Sequence, residues 1–244
     1  ANKVYLNYWT KYITITKPSI KPDLWEKHTT HTSDWNWVLP LPNRPNVKVR
    51  KFAHVHTAAA HIQNIWRQKY GNKPLIKLKK SHQEAFNLQK TRWGLKKTDW
   101  FVCIHIRSSH YHEGGKSSNQ NFRNSPVEDY YPAIQHVLDL GGWVFRMGDR
   151  DMPALNYDKI HRNKERLIDY AVSEEKSELL DVALGANCKL HISSNSGLYW
   201  VPLSFGKPVC MVNMSMYAGI PTHSQIIYIP KRYFCKKRER YLSL

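Results

Sequence analysis

The sequence lacks the features that mark a membrane-spanning or secreted chain. It contains no run of about 18 apolar residues, which excludes a spanning helix, and no charged-then-apolar leader opens it. The chain begins at Ala1 and not at Met, so we take it to be a fragment or a processed chain. We therefore expect a protein that is soluble or bound peripherally to a membrane.

Cysteine is scarce, and no metal-binding motif is present. The 4 cysteines are far apart in the chain: Cys103, Cys188, Cys210 and Cys235. This spacing predicts reduced core thiols in a cytosolic protein. His54-x-His56 and His110-x-His112 place pairs of histidines on shared faces, but no His-Glu-x-x-His motif or Cys/His quartet accompanies them. We therefore expect no structural metal.

Acidic residues are few for the length of the chain. The sequence has 37 Lys and Arg residues against 19 Asp and Glu residues, a formal net charge of +18. This balance favours anionic partners, among them nucleic acid, phosphorylated substrates and acidic membrane surfaces. No helix-turn-helix or RNA-recognition signature accompanies the basic residues, so nucleic acid is the less favoured partner. A nucleic-acid-binding module remains the alternative to an enzyme.

Apolar strands alternate with helices in the second half of the chain. The run Trp100–Ile104 is almost continuously apolar, which is typical of a strand buried on both faces. Helices are predicted to begin at Ser125 and at Ser173, the second ending at Gly185. The further strands are predicted at 143–147, 167–170, 189–192, 208–212 and 226–229. This alternation predicts an α/β fold with a doubly wound parallel sheet, and we assign residues 98–244 to it.

The first 97 residues and the basic tail show weaker patterns. A strand is predicted at Val4–Trp9, an edge strand at Val47–Val49 and a helix over residues 57–70. Ser81 and Glu84 match a capping box for a second helix. We interpret residues 1–97 as a partial N-terminal region with linking helices, and the tail 231–240 as a helix.

Polar residues follow three of the predicted strands at their carboxyl ends. His105 and Arg107 follow one strand, Asp149 the next, and the turn Ser193–Gly197 a third. Ligands of open α/β sheets bind outside the carboxyl ends of the strands, so we expect these groups to share one crevice. Arginine suits a diphosphate, the turn offers further donors, and Asp149 is placed to accept from a base amine or a ribose hydroxyl. Taken singly, Arg107 also fits a surface cation, His105 a core imidazole and Asp149 a turn residue.

Five motifs occur in a fixed order along the chain. They are His105-Ile106-Arg107, Gly141-Gly142-Trp143-Val144-Phe145-Arg146-Met147-Gly148-Asp149, Ile168-Asp169-Tyr170-Ala171, Ser194-Asn195-Ser196-Gly197 and Phe205-Gly206-Lys207-Pro208-Val209. Together they resemble a family of bacterial glycosyltransferases associated with surface polysaccharide synthesis, over the stretch from Ile65 to Asn213. More distantly, His-x-Arg resembles the start of the His-x-Arg-Arg-x-Asp motif of fucosyltransferases with a GT-B fold, although Ser108, Ser109 and His110 occupy the rest of that motif.

The resemblance implies a GT-B-like enzyme whose residues 98–244 bind a nucleotide sugar and whose residues 1–97 lie on the acceptor side. It implies that Arg107 binds the diphosphate of the donor. The other residues expected around the nucleotide are His105, Asp149, Asp169, Ser193, Ser194, Asn195, Ser196 and Gly197. No cofactor or metal is expected, because GT-B enzymes neutralise the leaving diphosphate with side chains and helix N-termini. The likeness to fucosyltransferases points to a GDP-linked donor.

The loop after Arg107 offers candidates for a catalytic base. His110, His112 and Glu113 lie within a few residues of the expected donor site. A neutral imidazole has the right basicity near pH 7, whereas a carboxylate would need its pKa raised by burial. We therefore favour His110 or His112, with solvated loop residues as the alternative.

Asp149-Arg150-Asp151 supports a different mechanism. The Asp-x-Asp pattern after an apolar strand resembles the motif with which GT-A glycosyltransferases hold a divalent cation. That interpretation leaves His105, Arg107 and the Ser193 turn without a role, so we favour the metal-independent one. The sequence thus predicts a cytoplasmic enzyme, alternatively peripheral at the inner membrane face, that moves a sugar to a glycan or lipid-linked acceptor.

Overall fold

The computed structural model describes most of the chain outside the first quarter. The described residues are 2–10, 30–31, 36–41, 44–50, 65–71, 73–74, 76–108, 121–215 and 226–242, with the backbone alone between 30 and 50. The helices are α1 (Lys3–Trp9), α2 (Lys80–Arg92), α3 (Tyr131–Asp139), α4 (Glu178–Asn187) and α5 (Trp200–Ser204), and residues 65–70 are also helical. None of the described helices has both the length and the apolar character needed to cross a bilayer.

The strands form three sheets. They are β1 (Thr30–His31), β2 (Asn36–Leu41), β3 (Arg44–Arg50), β4 (Phe101–His105), β5 (Trp143–Met147), β6 (Leu167–Ile168), β7 (Leu190–Ser193), β8 (Val209–Met214), β9 (Ile226–Pro230), β10 (Phe234–Cys235) and β11 (Arg240–Tyr241). The largest sheet has six strands in the order β6-β5-β4-β7-β8-β9, and all of them are parallel. The predicted α/β fold with a doubly wound parallel sheet is confirmed.

The path of the chain through this sheet creates a switch point. From β4 the chain moves outward through β5 to β6, then returns to place β7 on the other side of β4. The register pairs His105 with Met147 on one side and with Ser193 on the other, so three strands end at the same level. Ligands of such sheets bind where the strand order reverses, which here is between β4 and β7.

Helices cover the sheet on both faces. On one face, α2 and α4 bury Phe86, Phe101, Phe145 and Leu184 in a common core. On the other, α3 packs its apolar side against β4 and β5, with Ile134 and Leu138 fully buried. Every residue of β4 and β5 is buried, as the apolar run Trp100–Ile104 predicts for a central strand.

The N-terminal residues divide between a separate sheet and the main core. β1, β2 and β3 form an antiparallel sheet, and the edge strand predicted at Val47–Val49 lies within β3. Residues 65–70 confirm the end of the predicted helix over 57–70, and its earlier part lies outside the described residues. Asn2 and Lys3 donate hydrogen bonds to Glu178, which holds α1 against α4. The proposed boundary between residues 97 and 98 stays a prediction.

Several predicted helix limits are wrong, because local capping signals were misplaced. Val4–Trp9 is helical, not extended: the side chain of Asn2 caps it by accepting from the amide of Tyr5. Ser81 and Glu84 form no capping box, since α2 begins at Lys80 without a side-chain cap. The helix expected from Ser125 begins as a 3-10 turn at Glu128–Tyr130. The other two elements are helical near their predicted positions, whereas Val4–Trp9 is a helix where a strand was predicted.

Two further differences concern Gly185 and the tail. α4 is capped by Ser177, not Ser173, and it continues through Gly185 to Asn187. A Cβ at Gly185 would lie 3.0 Å from Val201, so this glycine allows the close approach of α4 and α5. The basic tail is no helix, because Phe234–Cys235 and Arg240–Tyr241 pair as an antiparallel hairpin.

The main core contains a histidine that receives no hydrogen bond. His191, in the middle of β7, is 1 % exposed, and neither ring nitrogen has a partner among the described residues. Burial, reinforced by nearby His105, lowers the pKa of His191 to about 3. The imidazole is therefore neutral in the folded protein at every pH above that value.

We expect His191 to make the protein sensitive to acid. Above the unfolded pKa of histidine, about 6.5, His191 adds no pH dependence to the stability. As the pH falls from there toward about 3, the unfolded state binds a proton that the folded state does not bind. Stability should fall by up to about 1.4 kcal/mol per pH unit for each such proton. Urea unfolding of His191→Leu between pH 6.5 and 5 should show a shallower pH dependence than the parent. An unchanged slope, equal to that of the exposed-site control His161→Leu, would contradict this assignment.

Candidate active site at the switch point between β4 and β7

Two short hydrogen bonds join the carboxyl ends of β4 and β7. The amide of Ser194 donates to the carbonyl oxygen of His105 at 3.0 Å. The amide of Arg107 donates to Oγ of Ser194 at 2.7 Å, and both groups are buried. The predicted crevice residues His105, Arg107 and Ser194 are thus brought together by the backbone itself.

In the predicted turn Ser193–Gly197, the first residues bond within the protein, whereas the last residues keep backbone amides that can bind a ligand. Ser193, Ser194 and Asn195 are buried, and their side chains bond to neighbouring main chain or to Ser215. Ser196 caps the following 3-10 turn by accepting from the amide of Leu198. The backbone amides of Ser196 and Gly197 donate no hydrogen bond to any described residue. The half of the turn that can face a ligand is therefore its last two residues.

Residues 121–125, which the sequence analysis did not assign to the site, lie along one side of the crevice. The amide of Ser125 donates to the carbonyl oxygen of Arg107 at 3.1 Å, and Nη2 of Arg123 donates to that of Asn195 at 3.1 Å. Arg123 therefore adds a second cationic side chain near Arg107, which is only 8 % exposed. The sequence held a weak signal for this role, an arginine just before the Ser-Pro pair at 125–126.

A cavity of about 410 Å³ lies at the carboxyl ends of β4 and β5. Its lining residues come from four places in the chain: Ile106, Ser108, Asn124, Ser125, Pro126, Val127, Arg146, Met152, Pro153 and Ala154. Small-molecule pockets in proteins have volumes of roughly 300 to 1,000 Å³, so this one can hold part of a nucleotide. The cavity borders the crevice through Ser108, the residue that follows Arg107.

A buried ion pair contributes its arginine to the wall of this cavity. Arg146 in β5 and Asp169 after β6 are both almost fully buried, and Nη2 of Arg146 donates to Oδ2 of Asp169 at 2.8 Å. The Asp169 carboxylate also accepts from the amide of Leu155 at 2.7 Å, while Arg146 donates to the carbonyl oxygen of Pro153 at 2.8 Å. The structure thus places Asp169 in contact with protein donors. The sequence signal for this ion pair was Arg146 itself, a charged residue inside the apolar run 143–147.

Asp149 and Asp151 lie in the exposed turn that follows β5. This turn requires Gly148, whose φ is +149° and where an added Cβ would lie 2.1 Å from the Met152 sulfur. Both carboxylates therefore reach solvent at the same end of the sheet as the crevice. Neither forms a salt bridge among the described residues.

His105 is a neutral imidazole at the floor of the crevice. Burial, together with the nearby cations Arg107, Lys176 and Arg146, lowers the pKa of His105 to about 4. A neutral His105 adds no charge to the site at physiological pH. The positive potential near an incoming anion therefore comes from the arginines.

Three soft metal-ligating side chains meet below the crevice. One ligand atom each of Cys103, Cys188 and His191 lies within 4.8 Å of the others, inside the hydrophobic core. Burial raises the pKa of the Cys103 thiol, and Cys188 Sγ donates to the carbonyl oxygen of Gly185 at 3.3 Å. Both features favour protonated thiols, which are poor metal ligands. All four cysteines are free.

The predicted base candidates belong to the loop that follows Arg107. His110, His112 and Glu113 lie outside the described residues, which stop at Ser108 and resume at Asn121. Their proposed role stays a prediction.

Comparison with known proteins gives a partial likeness in fold. The sequence matches no protein-family model and no curated protein. Among solved structures, the chain is similar to E. coli ADP-heptose LPS heptosyltransferase II, with 14 % identity and a TM-score of 0.47 over 65 % of this chain and 45 % of that one. It is also similar to a family 9 glycosyl transferase from Veillonella parvula, with 16 % identity and a TM-score of 0.46 over 64 % and 42 %. E. coli heptosyltransferase WaaC with ADP-2-deoxy-2-fluoro heptose gives 11 % identity and 0.39 over 57 % and 40 %. The chain therefore spans less than half the length of each of these structures.

Proposed function

We propose that this chain carries the donor site of a glycosyltransferase that uses a nucleotide diphosphate sugar. The observation that carries the proposal is the meeting of Arg107 with the Ser193–Gly197 turn at the switch point of a doubly wound sheet. Sugar transfer leaves a nucleoside diphosphate behind, so its catalyst must stabilise negative charge as the glycosidic bond breaks. A buried arginine beside available backbone amides supplies that stabilisation without a metal ion.

The neighbouring cavity suits the nucleoside half of the donor. It lies between the ends of β4 and β5, next to the crevice, and its volume of about 410 Å³ fits a base and a ribose better than a whole nucleotide sugar. Asn124 and Ser125 offer polar groups inside it. Asp149, exposed in the turn after β5, is in this proposal the partner of a ribose hydroxyl. In this arrangement the Arg146 and Asp169 pair supports the cavity wall, and does not itself bind the nucleotide.

The acceptor in this proposal is a glycan or a lipid-linked saccharide of surface polysaccharide synthesis. The family resemblance of the motifs supports that assignment, as does a strongly basic chain that suits acidic acceptors and surfaces. We place the enzyme in the cytoplasm, at the inner face of the membrane. A thermal-shift screen against GDP, UDP, CMP and dTDP tests the proposal and names the nucleotide, because a ligand that binds the folded state raises Tm.

A nucleic-acid-binding module is the competing function. It would give tight binding to unrelated RNA or DNA with a steep dependence on salt, and no response of Tm to any nucleotide sugar. That combination of results would overturn the transferase proposal.

Replacing Arg107 with alanine should weaken nucleotide diphosphate binding strongly. Loss of a charge-assisted hydrogen bond in a partly dry crevice costs about 1.5 to 3 kcal/mol, so Kd should rise roughly 10- to 150-fold. Calorimetry with the nucleotide found in the screen measures this. Arg107→Lys should recover part of the affinity, and Arg162→Ala, at an exposed arginine, serves as the control. Parental affinity in a folded Arg107→Ala protein would remove Arg107 from the site.

Activity should persist in EDTA, since the diphosphate charge is countered by Arg107 and the amides of Ser196 and Gly197. The measurement is sugar transfer after dialysis against the chelator. Asp151→Ala should likewise keep metal-independent turnover, whereas Asp149→Ala, which removes the proposed partner of a ribose hydroxyl, should raise the KM for the donor without making turnover dependent on metal. Complete loss in EDTA that Mn²⁺ or Mg²⁺ restores would instead support Asp149 and Asp151 as a metal clamp of the GT-A kind.

Substitution of His110 or His112 with alanine should lower kcat and leave nucleotide affinity nearly unchanged. The imidazole in this proposal takes the proton of the acceptor hydroxyl, a step that contributes typically 10²- to 10⁴-fold. Steady-state kinetics with calorimetry on the same preparations separates the two effects, and Glu113→Gln is the control. Full turnover in both single variants and in the double variant would place the base elsewhere.

A further inference from the structure

Exposed apolar side chains are concentrated at the end of the chain. Five of the ten large apolar residues that are exposed among the described ones lie between 227 and 242: Ile227, Ile229, Phe234, Tyr241 and Leu242. Each is 49 to 59 % exposed. Soluble surfaces seldom gather such side chains without a partner, so this concentration indicates an interaction surface.

The sheet leaves one face of its edge strand uncovered. β9 is the outermost strand, and Ile226 and Tyr228 pack into the core beside Val209 and Met211. Ile227 and Ile229 alternate with them and so lie on the opposite face, where they remain exposed. A strand of a doubly wound sheet is normally covered on both faces. No described helix or strand packs over these two isoleucines.

The segment that carries these apolar residues is also rich in exposed cations. Arg232, Lys236, Lys237, Arg238 and Arg240 are all exposed, against a single carboxylate, Glu239. None of the five takes part in a salt bridge among the described residues. The Arg232 guanidinium lies 4.0 Å from the centre of the Tyr241 ring, and Phe234 packs edge-on against the same ring at 5.3 Å. The hairpin of β10 and β11 thus presents aromatic and cationic groups together.

The hairpin is fixed to the end of the sheet that carries the crevice. The hydroxyl of Tyr233 donates to the carbonyl oxygen of Ser215 at 2.8 Å, and the amide of Lys231 to that of Met214 at 2.8 Å. Ser215 also accepts from the side chain of Asn195 in the crevice turn. The surface is therefore rigidly placed beside the proposed donor site.

We propose that residues 226–242 dock the protein onto an anionic lipid bilayer. The exposed apolar side chains enter the headgroup region while the five cations meet lipid phosphates, which is how interfacial segments bind acidic membranes. A second copy of the chain is a poor occupant, because a self-complementary contact would set two sets of five cations against each other. The inference rests on the placement at the membrane in the proposed function and names the surface responsible, but it can fail separately, since vesicle binding needs neither donor nor acceptor.

Vesicle flotation of the whole chain tests the proposal. The parent protein should float with vesicles of phosphatidylcholine and phosphatidylglycerol, not with phosphatidylcholine alone. The triple variant Lys236→Ser, Lys237→Ser, Arg238→Ser should bind roughly 100-fold more weakly, at about fivefold for each charge lost near the surface. Phe234→Ser with Leu242→Ser should also bind more weakly. Circular dichroism checks that each variant is folded.

The matched controls remove the same groups elsewhere. Arg92→Ser, Lys96→Ser, Lys97→Ser deletes three exposed cations near the end of α2, and Leu88→Ser deletes an apolar residue that is 66 % exposed. Both should bind anionic vesicles like the parent. Equal losses in the control and hairpin triples would overturn the proposal in favour of diffuse charge. No binding to anionic vesicles by the parent would also overturn it, whether the hairpin then proved to hold a second copy by light scattering or RNA by a gel-shift assay.

Discussion

The site depends on the contact between the ends of β4 and β7. Ser194 is used twice in this contact, as its amide donates to His105 and its hydroxyl accepts from Arg107. Both bonds are buried, and a buried polar group that loses its partner costs about 1 to 3 kcal/mol. The backbone of Arg107 is therefore fixed by the fold, and its carbonyl oxygen is fixed again by Ser125. Because the side chain of Arg107 is itself buried, it has less conformational freedom to lose on meeting an anion than a surface arginine would.

Burial and ion pairing determine which side chains near this contact carry a net charge. Asp169 neutralises Arg146 inside the cavity wall, which leaves that arginine little excess charge for a ligand. His105 and His191 are held neutral by burial, with pKa values lowered to about 4 and about 3. Arg107 and Arg123, among the described residues, are then the cationic residues whose hydrogen bonds reach the crevice turn. These two arginines concentrate positive charge at one point of the described crevice, which suits the compact diphosphate of the proposed donor.

The parts of the fold that the sequence could predict are those that long patterns encode. The apolar runs at 100–104 and 143–147 are typical of central strands, and the positions after them meet at one edge once the sheet is parallel. Short-range signals were less reliable: Ser81, Ser125 and Ser173 all resemble caps, yet the chain uses Ser177 and begins α2 with no side-chain cap. Tertiary packing decides among such sites, as where α1 is held by Glu178, far away in sequence. The pairing of Arg146 with Asp169 and the role of Arg123 likewise depend on contacts between distant residues, which periodicity does not encode.

The edge of the sheet links the tail of the chain to the crevice. Lys231 Nζ donates to the carbonyl oxygens of Phe122 and Asn124 at 3.0 and 2.9 Å, so the segment that bears Arg123 is held from the hairpin side. The same segment is held from the crevice side by Asn195 and Arg107. Residues 121–125 thus form a bridge between the exposed basic hairpin and the proposed phosphate site. Hydrogen bonds hold both ends of this bridge, so a continuous path of contacts runs from Lys231 through residues 122–125 to the backbone of Arg107. The tail of the chain thus helps to fix the segment that positions the proposed phosphate site.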